Sequence, residues 1–188
     1  MNKNKLPEIV LIGLPNSGKS TLINALCKNK TSIIGSEPNT TRDKVSNKLV
    51  FEDGRGVLLS DLPGYLEHPD EWNLNFQKRI EEHVQNAVKI LFVIDVNSKD
   101  FINIDYIYKF LNTKNFSKKV ITVFNKSENL SSENLDPLMY KYILNQEFFI
   151  SAYHKKNLEG LRSHIYKISK NIHDEDLTKK ITIIGRPN

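Results

Sequence analysis

Residues 8–24 read EIVLIGLPNSGKSTLIN, and this stretch constrains the fold more than any other. An apolar run from Ile9 to Ile12 stops at Gly13, and apolar residues resume at helical spacing after Thr21. Between them, Gly13-Leu14-Pro15-Asn16-Ser17-Gly18-Lys19-Ser20 has the G-x-x-x-x-G-K-[ST] spacing of a phosphate loop. Gly13 and Gly18 permit backbone conformations and close approaches that a Cβ would block. The loop's N–H groups can then face a concavity which, with the N-terminus of the following helix, favours phosphate oxygens. Lys19 supplies a compact positive charge for the terminal phosphates, and Ser20 a hydroxyl for Mg²⁺. Strand, loop and helix in this order predict a nucleoside polyphosphate site.

The rest of the chain must therefore supply a parallel sheet. The 188 residues, 39% hydrophobic and 26% charged, suit one soluble α/β domain with a sizeable core. The net charge of +5 is compatible with a nucleic-acid-rich partner. The lysines are scattered or paired (Lys118-Lys119, Lys155-Lys156, Lys179-Lys180), which reads more simply as a solvated surface. Cys27 is the single cysteine, which excludes an intrachain disulfide, and it falls on the apolar side of the first helix as a small core residue. No apolar run reaches the ~18 residues of a membrane span, and no signal-like segment follows Met1. A cytoplasmic monomer away from membranes is the expectation.

In chain order, the pattern predicts a strand at 8–12, a helix at 19–28 and a long loop over 29–44. Strands at 45–52 and 57–60 flank the turn Asp53-Gly54-Arg55-Gly56, as the only antiparallel pair expected. A loop over 65–76 and a helix over 77–88 follow. The near-continuous apolar runs at 89–96 and 120–124 are strands buried on both faces, with a helix at 103–112 between them. A helix from Leu135 to Leu144, a strand from Glu147 to Ile150 and an amphipathic helix over 157–171 complete the domain. Strands alternating with helices predict a doubly wound, mainly parallel sheet, whose ligands sit at the carboxyl ends of its strands.

Four further groups fall at such ends or in the loops beside them. Thr41 lies in the first long loop, where a γ-phosphate and Mg²⁺ can recruit its hydroxyl. Asp61 offers a carboxylate toward Mg²⁺, and Gly64 a backbone N–H toward the γ-phosphate. Asn125-Lys126 ends a buried strand, suited to flank a purine base, and Ser151-Ala152 ends the last strand, with N–H groups for the base's exocyclic oxygen. Singly these are turn residues; in this order they resemble the small-GTPase signature.

The stretches GLPNSGKSTLINAL, PNTTRD (38–43), DLPG (61–64), FNK (124–126) and ISA (150–152) resemble the Era/EngA branch of P-loop GTPases. Near the end of the chain, Ile181 to Asn188 (ITIIGRPN) restate Ile9 to Asn16 (IVLIGLPN) about one domain later. That repetition is similar to the tandem Der (EngA) GTPases, which assist assembly of the large ribosomal subunit. The resemblance implies a GTPase domain over 1–171, a linker over 172–180 and the start of a second GTPase domain over 181–188. It implies GTP or GDP held by Gly13, Pro15, Asn16, Ser17, Gly18, Lys19, Ser20, Thr21, Asp61, Gly64, Asn125, Lys126, Glu128, Ser151 and Ala152. Mg²⁺ would be held by Ser20, Thr41 and Asp61. Lys19, Asn16, Thr41 and Gly64 would serve hydrolysis, and the partner would be the large ribosomal subunit.

Three departures qualify the resemblance. The base motif reads Asn125-Lys126-Ser127-Glu128, where the family has a shorter aspartate, so the carboxylate sits ~1 Å further out and a weaker guanine preference is expected. Tyr153-His154-Lys155-Lys156-Asn157 replaces a glycine-containing stretch, which alters loop shape. Tyr65 follows Gly64 where many GTPases carry a water-orienting glutamine. In related potassium-stimulated GTPases the residue equivalent to Asn16 ligates K⁺; the alternative is a turn residue with no ion. The five histidines form no metal spacing with Cys27 and read as surface or loop residues. Three alternatives stay open: a nucleotide-gated binding module with negligible hydrolysis, another Era-like GTPase of RNA or ribosome maturation, and an ATP-using enzyme for which Asn125-Lys126 and Ser151-Ala152 would be coincidences.

Overall fold

The computed structural model describes residues 6–27, 45–62, 74–130 and 135–178. Six strands and four α-helices are arranged as β1 (Glu8–Ile12), α1 (Lys19–Cys27), β2 (Val45–Val50), β3 (Gly56–Asp61), α2 (Leu74–Asn86), β4 (Lys89–Asp95), α3 (Phe101–Thr113), β5 (Val120–Asn125), β6 (Gln146–Phe149) and α4 (Leu158–Thr178). The strands form one sheet in the order β2-β3-β1-β4-β5-β6. Every neighbouring pair is parallel except β2 with β3, where Val45 lies opposite Asp61 and Val50 opposite Gly56. The doubly wound, mainly parallel sheet and its antiparallel hairpin are as the sequence predicts.

Strand periodicity divides the core into two layers. Ile9, Leu11, Leu91, Val93, Ile121 and Val123 face Leu22, Ile23 and Leu26 of α1 and Leu161 and Ile165 of α4. Their alternates Val10, Ile12, Phe92, Ile94, Val120 and Phe124 face Ile80 and Val84 of α2 and Ile104, Ile107 and Leu111 of α3. Strands covered on both faces need no polar alternation, which is why β4 and β5 read as unbroken apolar runs. Cys27 is buried in the α1 layer, and its burial pushes the thiol up to about 11, so it behaves as a small core residue.

Two elements differ from the sequence reading. The stretch from Leu135 to Leu144 is not an α-helix but a short 3-10 turn over Pro137–Tyr142. Pro137 lacks an N–H and Asp136 accepts from the Leu138 N–H at 3.0 Å, so the chain starts a turn there. The turn then ends because Tyr142 is drawn inward. Its carbonyl accepts from Thr122 Oγ1 (2.8 Å) and its hydroxyl donates to Asp105 Oδ1 (2.7 Å), while its ring is fully buried. The last helix, read as 157–171, continues to Thr178, so most of the expected linker is helical. His83 and His164 are half-buried on α2 and α4 rather than on the surface, and His164 packs on Phe148 with ring centroids 5.6 Å apart. Burial lowers the His164 pKa. The loops at 29–44 and 65–73, and the repeat at 181–188, lie outside the described residues, as do the side chains of His68 and His173.

Candidate nucleotide site

The carboxyl ends of β1, β3, β4 and β5, with the loop beyond β6, converge on the segment that links β1 to α1. That convergence is a consequence of parallel strand direction and brings residues far apart in sequence to one edge. The loop's two glycines have separate reasons. A Cβ on Gly13 would stand 2.2 Å from the Val93 carbonyl oxygen, so only glycine lets the loop leave β1 against β4. Gly18 has φ +92°, and a Cβ there would meet Asn125 Nδ2 at 2.2 Å. Asn16 also has positive φ, 61°, a conformation asparagine tolerates better than most residues. Its backbone thus has a reason for asparagine that involves no ion. Pro15, Asn16, Ser20 and Thr21 are exposed along the rim, while Ser17 is buried.

Asn125 joins the two ends of the site. Its Nδ2 donates to the Ser17 carbonyl at 2.9 Å, and its Oδ1 accepts from the Ala152 N–H at 3.0 Å, with the residue 2% exposed. One side chain therefore ties the phosphate loop to the segment after β6. Sequence reasoning assigned Asn125 to the base and missed this latch, since its partners lie 108 and 27 residues away. Lys126, expected beside the base, also has φ 61°, and its ammonium lies 2.7 Å from Asp95 Oδ2. The Ser151 N–H donates to the Lys156 carbonyl at 3.1 Å. Both N–H groups expected to meet a base carbonyl are thus engaged within the protein, and a base would have to share one of them.

The phosphate end is built on Lys19, Ser20 and Asp61. Lys19 Nζ donates to the carbonyls of Gly13 (3.1 Å) and Leu14 (3.0 Å), folded over the loop it follows. Burial lowers its pKa, and the nearby Asp61 carboxylate works against that shift. Ser20 Oγ donates to Asp61 Oδ2 at 2.6 Å, so the hydroxyl and carboxylate expected at Mg²⁺ are brought together. Thr41 and Gly64 fall outside the described residues. Glu128 turns toward the loop after β6, its Oε1 3.9 Å from His154 Nε2.

Among the described residues, the buried side-chain oxygens without a partner are Ser17 Oγ, Asp61 Oδ1 and Glu128 Oε2, and all three belong to this site. Orphaned acceptors of this kind are rare in folded proteins and mark places completed by something else. The donor set fits the expected groups: all-oxygen side chains for a hard cation at Asp61, and an unpaired carboxylate oxygen for N–H donors of a base at Glu128. A cavity of about 270 Å³ adjoins the phosphate loop, its lining including Leu14, Asn16, Ser17, Phe92, Asp95 and Ile104. Asn125 and Ser151 are not among its lining residues.

With this geometry in place, comparison with known families is decisive. The family described as 50S ribosome-binding GTPase matches residues 8–126. The chain belongs to this family. Its fold is that of a P-loop GTPase, and the match covers the phosphate loop, Asp61 and Asn125-Lys126 alike. GTPase Der of Aquifex aeolicus is 33% identical over 187 residues, covering 96% of this chain and 42% of Der. Among solved structures, Era of Aquifex aeolicus bound to GDP and AlF4⁻ superposes with a TM-score of 0.65 at 30% identity, over 88% of this chain and 57% of Era. Era in complex with MgGDPNP and nucleotides 1506–1542 of 16S ribosomal RNA gives the same TM-score at 30% identity, over 87% of this chain and 57% of that one. The chain spans about half the length of these relatives. No helix among the described residues is long and apolar enough to cross a membrane.

Proposed function

We propose that this chain is a GTP-binding and GTP-hydrolysing switch domain, part of a Der-like protein that assists assembly of the large ribosomal subunit. The observation that carries the reading is the Asn125 latch, which ties a phosphate loop to a base platform in one family-typical frame. In this reading the loop N–H groups and Lys19 hold the β- and γ-phosphates, and Asn125, Lys126 and Glu128 hold guanine. Ser20, Asp61 and Thr41 hold Mg²⁺, which when bound neutralises charge developing on the phosphates. Swinging Lys19 off the Gly13 and Leu14 carbonyls onto phosphate oxygens exchanges neutral acceptors for charged ones, a change that favours binding. Thr41 and Gly64 then follow the γ-phosphate as switch residues. The relatives and the Era complex with ribosomal RNA support a ribosomal partner, and we place the domain in the cytoplasm as a monomer followed by a second GTPase domain from residue 181.

The experiment is turnover of GTP in Na⁺ and in K⁺ at constant ionic strength. If Asn16 ligates a monovalent cation, turnover rises in K⁺, and Asn16→Ala flattens the response while leaving GDP binding largely intact. Equal rates in the two salts remove the ion from the mechanism. A second reading, a nucleotide-gated binding module with negligible hydrolysis, is favoured by Tyr65 and by the backbone reason for Asn16. Single-turnover GTP cleavage at saturating K⁺ separates it from the first. ATP displacing labelled GDP as effectively as GTP does would refute both.

A further inference from the structure

We infer that His154 is a specificity-determining residue that braces the Glu128 carboxylate for the guanine edge, so that its charge state sets the strength of guanine preference. The inference rests on the nucleotide reading above and concerns how that site discriminates.

The need for a brace arises in the sequence. Glu128 has one more rotatable bond than aspartate, and holding its carboxylate in one place costs more side-chain entropy. The fold supplies the restraint from a second loop. Ser127, on the segment carrying Glu128, donates from its N–H (3.0 Å) and Oγ (2.8 Å) to the Ile150 carbonyl, so the segments after β5 and β6 are tied together. Ser151 and Lys156 exchange two backbone hydrogen bonds, of 3.1 and 3.0 Å, that close the second loop. Positive φ at Lys155 (54°) within it, and at Asn157 (58°) just beyond it, makes the turn tight. His154 is oriented by its own N–H donating to Ser151 Oγ (3.3 Å) and by the Tyr153 ring standing edge-on at 5.0 Å.

The result is His154 Nε2 at 3.9 Å from Glu128 Oε1, with Glu128 Oε2 buried and unpartnered. That separation is Coulombic rather than hydrogen-bonded, so both oxygens keep lone pairs for N–H donors of a base. Ser151 first, then the backbone N–H of Glu128, keep the carboxyl below the usual glutamate range, and His154 and Lys156 act in the same direction. Lys126 faces Asp95 instead, so among the described residues His154 and Lys156 are the cationic side chains acting on this carboxylate, and of these two side-chain types the imidazole is the one suited to a charge switch. A charged imidazole adds its attraction to the hydrogen bonds that already hold the carboxylate, and a neutral one leaves Glu128 to those bonds alone.

The test compares GDP with inosine diphosphate, which has the same phosphates but lacks the exocyclic amino group a carboxylate would read. Their affinity ratio therefore cancels any pH effect at the phosphate loop. From about pH 8 down to about pH 5.5, the range in which imidazoles titrate, the preference for GDP should rise by about three- to tenfold, a fraction of a charge-assisted hydrogen bond. His154→Gln, exposed and neutral, should flatten that rise, and Glu128→Asp should flatten it too, because the shorter acid cannot reach the imidazole. A ratio independent of pH in the unmodified chain, or the same rise in His154→Gln, overturns the inference and leaves GTP binding standing. Failure to bind GDP at any pH overturns the nucleotide reading, and this inference with it.

Discussion

Replacing Lys19 by alanine should abolish nucleotide binding while leaving the ligand-free domain close to its original stability. The two effects separate because the ammonium is in an uncomfortable place. Burial lowers its pKa, its acceptors are two neutral carbonyls, and the Asp61 carboxylate compensates only in part. An ammonium so held gains from a phosphate far more than it contributes to the empty fold. Loss of one charge-assisted contact costs about 1.5–3 kcal/mol, more where the phosphate is then left without a counter-charge. Calorimetric titration with GDP, beside a thermal melt without it, checks both halves. Near-normal GDP affinity in the variant would sink the assignment of the phosphate site.

The second large effect is expected at Asn125. Asn125→Ala deletes two buried hydrogen bonds, leaving the Ser17 carbonyl and the Ala152 N–H to find other partners. At about 1–3 kcal/mol for each unsatisfied group, the loss is about 2–6 kcal/mol, or a melting temperature lower by about 4–24 °C. Asn125→Asp is the informative companion. It keeps an acceptor for Ala152 but turns a carboxylate oxygen toward the Ser17 carbonyl, acceptor against acceptor, in a site that is 2% exposed. It should be no more stable than alanine despite its matching shape. A fall of under about 2 °C for both variants would show that the latch contributes little to the fold.

The parts of this fold legible in the sequence are those whose physics is local. The turn at Asp53-Gly54 announces the hairpin, with φ +82° at Gly54. The apolar runs of β4 and β5 announce double burial, and the spacing of Leu158, Leu161 and Ile165 announces α4. The phosphate loop was readable because each of its residue types answers to a backbone or charge requirement inside eight positions. What escaped depends on partners distant in the chain. Tyr142 is pulled in by Thr122 and Asp105, which ended a stretch whose local pattern looked helical. The latch made by Asn125 escaped because the Ser17 carbonyl and the Ala152 N–H cannot be seen from Phe124-Asn125-Lys126. The approach of His154 to Glu128 was equally hidden, although both residues had been singled out as departures. Thr41 and Gly64 remain expectations carried by the family pattern.

The Asn125 latch has a thermodynamic corollary. Because the loop and the base platform share one buried amide, the two ends of the site are set at a fixed spacing before any ligand arrives. In the proposed binding mode a nucleotide spanning them is a chelating ligand. Once its base is seated, its phosphates face their loop at high effective concentration, and little ordering of the protein remains to be done. Guanosine and pyrophosphate supplied as separate molecules would each bind feebly, and their combined occupancy would fall far short of what the covalent link between them provides.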